Sequence, residues 1–457
     1  MIGIQFCKSI PRYLAMKAVG PWWRGASTSA LLPISLRELA VPVLPAPMWV
    51  RVRPILSGVC GSDLAAICSK GSAYLSPLTS TPFVLGHEVV GVVTEVGPAA
   101  VGVSVGDRVV VQPALGCCAR GIEPMCADCA ANRPALCRNV TRGIISAGIQ
   151  TGYCRDTGGA WSESFVAHPS QLYRVPDSMD DEVAVLAEPF ACALHGALRV
   201  GPAEGRTALV MGCGSIGLLT IAALRAVHGR VDPHRRDAGA TDLGATDVGS
   251  TDAGGTGAGG KDGLFGVPGG GEKRLRIVVV AKYAHQRDHA LRLGADEVLM
   301  YCSDVGQRYR LLAEALGAEL YQPEIGKPTV VGGADVTYDC VASSTSIDDC
   351  CRFTRGGGDM VLVGMPSIPR KVDWTSIWYK ELSLHAAYAY GAERHDPAAR
   401  TTFEIGLEIL SSWGSALRLL VGEPFGLRDY RDAIGAALHT GQSGSVKTVF
   451  RVGSGEQ

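Results

Sequence analysis

Three groups of residues in this chain have the types and spacing for chemistry. The densest is CCARGIEPMCADCAANRPALC, where Cys117, Cys118, Cys126, Cys129 and Cys137 fall within 21 residues. Cys126, Cys129 and Cys137 give C-x2-C-x7-C, and a fourth thiolate can come from Cys117 or Cys118. Four thiolates suit a closed, tetrahedral structural zinc that pins a loop with little core of its own. The alternative, a set of buried free cysteines, fits the spacing less well. The second group is GCGSIG, with Gly212, Gly214, Ser215, Ile216 and Gly217. It follows the apolar run TALVM and opens a helical pattern. The first glycine permits a tight turn, the second lets backbone approach a pyrophosphate, and the third lets helix and strand pack closely. The helix start adds free N–H groups and a positive dipole end for the phosphates. The third group is dispersed over GVCGSD, GHEVVG and AEPFACALHG: Cys60, His87, Glu88 and Glu188. Singly these read as a small core thiol, a turn histidine and helix-start acids. Together they offer sulfur, nitrogen and carboxylate oxygen, the donor set of a catalytic zinc with one open position.

The strand after the glycine motif's helix is IVVV, Ile277–Val280, followed by Ala281, Lys282 and Tyr283. No acid stands where one would hold the ribose hydroxyls of NAD. Lys282 would instead favour a 2'-phosphate, and Arg287 could add to it, so the spacing leans to NADP over NAD. The competing reading of Lys282 is a solvated surface cation.

These groups need elements to position them. From about residue 13 to 180, WVRVRPILSGV, FVLGHEVVGVVTEVG and DRVVVQP read as strands between Gly and Pro turns. From TALVM onward short apolar runs alternate with helical patterns, which predicts a parallel sheet with helices on both faces. The expected class is α/β: a mostly β domain plus a doubly wound parallel-sheet domain. A chain of 457 residues suits two or three such domains. The 58 glycines concentrate from Gly239, in an imperfect repeat GATDL, GATDV, GSTDA, GGTGA. The stretch of about 229–273 has few large apolar residues and is expected to be a disordered surface insertion within the strand–helix–strand unit.

Composition excludes several classes. Lys and Arg total 43 against 44 Asp and Glu, so nucleic acid and anionic membrane surfaces are poor partners. Fifteen cysteines, unevenly spaced, argue against a disulfide scaffold and for a reducing, cytoplasmic setting. Thr207–Leu224 carries no charge, but Gly212, Gly214 and Gly217 interrupt it, so no membrane span is expected. The first 37 residues are basic and free of acids, which would also suit an organellar presequence. The favoured reading is an irregular extension followed by a strand at Tyr13–Val19.

In this order, the three motifs resemble the zinc-containing medium-chain dehydrogenases, in the alcohol, polyol and threonine dehydrogenase branch. GHEVVGVVTEVG, Gly86–Gly97, follows that family's signature closely. The resemblance implies a GroES-like catalytic domain over 13–185, a Rossmann cofactor domain over 186–368, and a return to the catalytic domain over 369–457. It implies a catalytic zinc held by Cys60, His87 and Glu188, with Glu88 as a ligand or its partner. It implies a structural zinc on Cys117, Cys126, Cys129 and Cys137, because Pro113 stands four residues before Cys117. Lys447 falls where the family has a basic residue near the cofactor pyrophosphate. The implied activity is hydride transfer between an alcohol or polyol and NAD(P), with Ser62 accepting the substrate proton. Relatives are often dimers or tetramers, which implies a homo-oligomer.

Two departures stand out. Glu123 occupies the usual place of the first structural cysteine, in a lengthened loop, and could itself contribute. Leu64 and Ala65 follow CGSD where many relatives carry a proton-relaying histidine. The alternatives are a zinc-independent quinone or enoyl reductase, and a non-catalytic NADP-binding protein with a structural zinc only. WTSIWY, Trp374–Tyr379, could supply aromatic pocket lining or simple packing.

Overall fold

A computed structural model describes residues 1–19, 29, 31–201, 205–228, 274–393 and 398–452. The glycine-rich insertion expected at 229–273 lies outside the described residues. Among the described residues no helix is long and apolar enough to cross a membrane. The uncharged Thr207–Leu224 run divides into a strand, Thr207–Met211, and the start of a helix, Ser215–His228.

The cofactor-side sheet has six parallel strands. In spatial order they are Glu297–Met300, Arg276–Ala281, Thr207–Met211, Ala334–Asp339, Thr354–Leu362 and Ser383–Ala386. Numbered along the chain this is 3-2-1-4-5-6, the doubly wound order that reverses beside the first strand. The turn at Gly212 leaves the sheet at that reversal, where ligands of such folds bind. The last strand lies beyond residue 368, so the sheet runs past the point where the sequence places the return to the first domain.

The second sheet has seven strands built on Val50–Gly58. Its neighbours are Val89–Val96 and, from the other end of the chain, Val449–Arg451. Phe425–Gly426, Arg108–Val111, Phe165–Ala167 and Leu172–Arg174 complete it. Valines alternate in these strands, and Val50, Val52, Val89, Val93, Val109 and Val111 meet in one apolar cluster. β-Branched side chains fit a pleated surface that buries one face.

The N-terminal segment differs from expectation. Ile10–Val19 is a helix, not the strand read at Tyr13–Val19, and Ile2–Phe6 is a strand. Pro11 sits in the first helical turn, where its missing N–H costs nothing. Met16 is buried while Arg12 and Tyr13 face out, which is a helical, not an alternating, pattern. Ile2–Phe6 pairs with Ile34–Glu38 and Phe83–Val84 in a small antiparallel sheet. Regular structure therefore starts before residue 13.

The helix Ala187–Ala197 links the two sheets. It is apolar around most of its circumference, as a fully buried helix must be. Phe190 and Leu194 have no exposed surface, and burial of each contributes roughly 1.5–3 kcal/mol. They share one core with Leu56 and Val90 of the seven-stranded sheet and Val210 and Tyr338 of the six-stranded one. Glu188 in its first turn is thereby fixed against both halves.

Candidate active site

Cys60 ends the Val50–Gly58 strand's exit and precedes the short helix Gly61–Ile67. Its backbone N–H donates to Asp63 Oδ2 at 3.1 Å. Asp63 has no exposed surface, and its other oxygen stands 3.4 Å from His87 Nδ1. The Tyr153 hydroxyl donates to the same oxygen at 3.4 Å. His87 Nε2 faces the Ser62 hydroxyl at 3.5 Å, too long for a strong bond, and stays available to a metal. Asp63 is close to Nδ1 without a hydrogen bond of good geometry, and a small ring rotation would give the pairing in which a carboxylate on one imidazole nitrogen orients the other as a ligand. Burial opposes the charged His87 ring, but the Asp63 charge outweighs it and raises the pKa well above the usual range. His87 owes its place to Gly86, whose φ of +96° a side chain rarely adopts and whose Cβ would lie 2.4 Å from the Trp161 ring.

Glu188 is buried at the same centre, and Cys192 one helical turn on donates its thiol to Oε1 at 3.6 Å. Burial raises the Glu188 pKa to about 7, against the opposing pull of His87 and Lys447. Two further phenols, Tyr388 and Tyr390, lie within the field of Glu188 and Cys192, and burial raises both. Cys60, His87 and Glu188 are thus neighbours. Their donor atoms are not drawn into a closed shell as those of the cysteine lobe are.

Lys447, expected near the cofactor pyrophosphate, pairs in this structure with Glu88 Oε2 and donates to Val59 O at 3.2 Å, with both partners of the ion pair buried. Gly58 makes room for this pair, since a Cβ there would collide with Glu88 Oε2 at 2.0 Å. Glu88 is engaged by a cation and does not point to Cys60 as a free donor.

In the lobe, the sulfurs of Cys117, Cys126, Cys129 and Cys137 all lie within 4.8 Å of one another. Cys117 Sγ and Cys137 Sγ are 3.7 Å apart, close to the edge of about 3.8 Å of a tetrahedron with zinc–sulfur bonds of about 2.3 Å. Backbone N–H groups of Cys117, Cys126 and Asn139 donate to Cys129, Cys117 and Cys137 sulfurs at 3.3–3.4 Å. Donors aimed at sulfur favour thiolates, so the donor set fits zinc. Cys118 is exposed and turned to Met125 Sδ at 3.5 Å, and Glu123 is exposed outside the cluster.

The glycine turn fits a dinucleotide. Gly212 has φ +95°, and a Cβ there would meet Val341 at 2.2 Å. A Cβ on Gly217 would lie 2.0 Å from Gly212 O. Gly214 meets nothing within 4 Å, so its bare backbone borders open space that a side chain would fill. The Ser215 hydroxyl donates to Val446 O at 2.8 Å and ties the helix start to the Lys447 segment. Ile216 follows in the helix's first turn. Lys282 is exposed at the end of the second strand, 5.3 Å over the Tyr283 ring. Arg287 is paired with Asp288 at 2.9 Å. Trp374, Trp378 and Tyr379 are 59%, 79% and 69% exposed, beside the sheet edge.

Asp63 and Tyr153 escape the sequence reading. Asp63 carried a signal, since it stands three residues after Cys60 at a capping-box position. Tyr153 carried none, because its loop reaches Asp63 only through the fold.

Comparison with known proteins agrees with this anatomy. Residues 46–177 match the alcohol dehydrogenase GroES-like domain and 272–404 the zinc-binding dehydrogenase domain, together more than half of the chain. The chain is 25% identical over 442 residues to L-idonate 5-dehydrogenase of Vitis vinifera, covering 94% of each protein. It is 25% identical over 409 residues to sorbitol dehydrogenase of Bacillus subtilis, covering 88% of this chain and 91% of that one. In fold it is similar to 2R,3R-butanediol dehydrogenase from Bacillus subtilis, with a TM-score of 0.62, 23% identity, and coverage of 92% and 96%. With the GroES-like and zinc-binding dehydrogenase domains both matched and full-length relatives of the same kind, the chain belongs to the zinc-type medium-chain dehydrogenases/reductases.

Proposed function

We propose that this chain is a zinc-dependent dehydrogenase that moves a hydride between an alcohol or polyol and NAD(P), giving an aldehyde or ketone. The observation that carries the reading is the grouping of His87 with Cys60 and Glu188 at one centre, with the Asp63 carboxylate 3.4 Å from Nδ1 and the Ser62 hydroxyl 3.5 Å from Nε2. A zinc-independent reductase has no use for that carboxylate–imidazole–thiol set. Bound zinc supplies Lewis acidity to the substrate oxygen, and bound nicotinamide accepts the hydride.

The chain's own residues do the rest. Cys60, His87 and Glu188 hold the catalytic zinc; Cys117, Cys126, Cys129 and Cys137 hold the structural one. Asp63 fixes the His87 tautomer, and Glu88 acts beside the metal through its pair with Lys447. Ser62 accepts the substrate proton and passes it to a ribose hydroxyl or water. The Tyr153 phenol, which donates to Asp63 and acts electrostatically with Ser62, is a candidate to take part of the missing histidine's role. Gly212, Gly214 and Gly217 admit the pyrophosphate to the N-terminus of Ser215–His228.

Lys282 supports NADP over NAD. A screen of secondary alcohols, sugars and polyols with both cofactors tests the whole reading; no turnover of any alcohol with either cofactor defeats it. In the same screen Lys282→Asp should move the NADP-to-NAD ratio of kcat/KM toward NAD by about tenfold or more, from loss of one charge-assisted phosphate contact. An unchanged ratio removes Lys282 from the cofactor site.

We also propose a cytoplasmic homo-oligomer. None of the fifteen cysteines is paired in a disulfide, as suits a reducing compartment. Ser383–Ala386 is an edge strand, flanked by exposed Trp374, Trp378 and Tyr379, and uncovered edges of this kind are normally protected. Light scattering should give a dimer or tetramer mass; a monomer at micromolar concentration rules it out.

A further inference from the structure

Four arginine or lysine side chains are buried among the described residues: Arg120, Arg225, Arg308 and Lys447. Three have a carboxylate partner, namely Asp296, Asp349 and Glu88. Arg120 has none within 4.0 Å among the described residues, although it has no exposed surface at all. A buried cation without a counter-charge is strongly disfavoured.

Its guanidinium donates only to backbone carbonyls: Leu115 at 3.0 Å, Arg142 at 2.8 Å, Ile145 and Ser146 at 3.3 Å, and Gly148 at 2.6 Å. These dipoles satisfy its N–H groups without neutralising its charge. Its backbone N–H donates to Cys117 O at 3.1 Å, and the acidic side chains whose fields act on the guanidinium are Cys154, Cys137 and Cys117, ahead of Asp156. Cys154 is a buried thiol whose pKa burial raises, so it stays protonated. Asp156 acts more weakly, forms no ion pair with Arg120 and lies beside Arg155, so the stronger remaining fields are those of Cys117 and Cys137, two members of the metal lobe. Four thiolates around one divalent ion carry two net negative charges. Arg120 itself lies in the lengthened stretch between Cys117 and Cys126, so the longer loop brings its own cation.

We propose that Arg120 is the internal counter-charge of the four-cysteine zinc site and a positioning residue for its metal. The guanidinium neutralises part of the tetrathiolate's excess charge and, through its carbonyl bonds, clamps residues 142–148 over the lobe. This inference rests on the lobe holding zinc, as proposed above.

The test follows zinc release from the full-length protein to a chromogenic chelator, with total zinc measured by mass spectrometry. Arg120→Gln keeps hydrogen-bond donors and loses the charge. Arg120→Lys keeps the charge and loses the fork. Arg120→Gln should release the lobe zinc at least about tenfold faster than the natural chain, and Arg120→Lys within about threefold of it. Equal acceleration in both variants, or none in either, overturns the proposal and leaves the lobe zinc standing. A natural chain whose zinc content is unchanged by Cys117→Ser overturns both. If Arg120→Gln does not fold, Arg120→Lys decides alone. Release as fast as from Cys117→Ser then counts against the counter-charge.

Discussion

Cys60→Ala is expected to lower kcat/KM for alcohol oxidation by about a thousandfold or more, since Lewis-acid stabilisation of several kcal/mol is withdrawn. Zinc content should fall from two ions per chain to one. The remaining ion should stay in the cysteine lobe, whose four sulfurs lie apart from Cys60 in their own compact cluster. The fold should survive, because Cys60 sits at a helix start and donates to the Asp63 carboxylate through its backbone N–H, which alanine keeps. Metal analysis and steady-state kinetics on the same sample check both halves. Full activity with one zinc lost would mean that Cys60 holds no catalytic metal and that the chemistry lies elsewhere.

The largest expected effect on stability comes from Lys447→Met. Lys447 and Glu88 are buried against one another, and removing the cation strands a carboxylate in the interior. Breaking a buried pair from one side costs about 3–5 kcal/mol. Denaturant unfolding of Lys447→Met should show a loss of this size, and the added change Glu88→Gln should recover much of it. A Lys447→Met protein as stable as the natural chain would mean that the pair contributes nothing to the folded state. The same pair argues that Lys447 acts on the cofactor only indirectly, through the Val446 carbonyl that receives the Ser215 hydroxyl.

The features legible in the sequence are those whose cause is local. The glycine motif lies between its own strand and helix, so six adjacent residues carry the whole constraint. The cysteine spacing likewise sits in one loop. Spacing alone does not separate Cys117 from Cys118, because adjacent residues differ only in the direction their side chains take, and the fold sends one inward and the other to solvent. The strand Ser383–Ala386 gave no apolar run, for an edge strand exposes much of its surface and needs none. Ile10–Val19 is short and weakly patterned, so its helix could be mistaken for a strand. Glu88 and Lys447 meet only through tertiary structure, and no spacing rule joins positions so far apart in the chain.

The pairing of Val449–Arg451 with Val50–Gly58 also orders events during synthesis. The six-stranded sheet is drawn from one continuous stretch, 207–386, and can form while later residues are still being made. The seven-stranded sheet must wait for residues 449–451, because the Leu56–Gly58 end of its central strand lacks a partner on one side until they arrive, Phe165–Ala167 covering only Val50–Val52. Lys447 comes in the same final segment, so Glu88 meets its cation only at that late stage. A nascent chain stopped short of it would carry an uncovered strand edge and an unneutralised carboxylate, which makes it a substrate for chaperones and proteases. Completion of the active centre therefore waits on a segment far downstream of the strand it flanks.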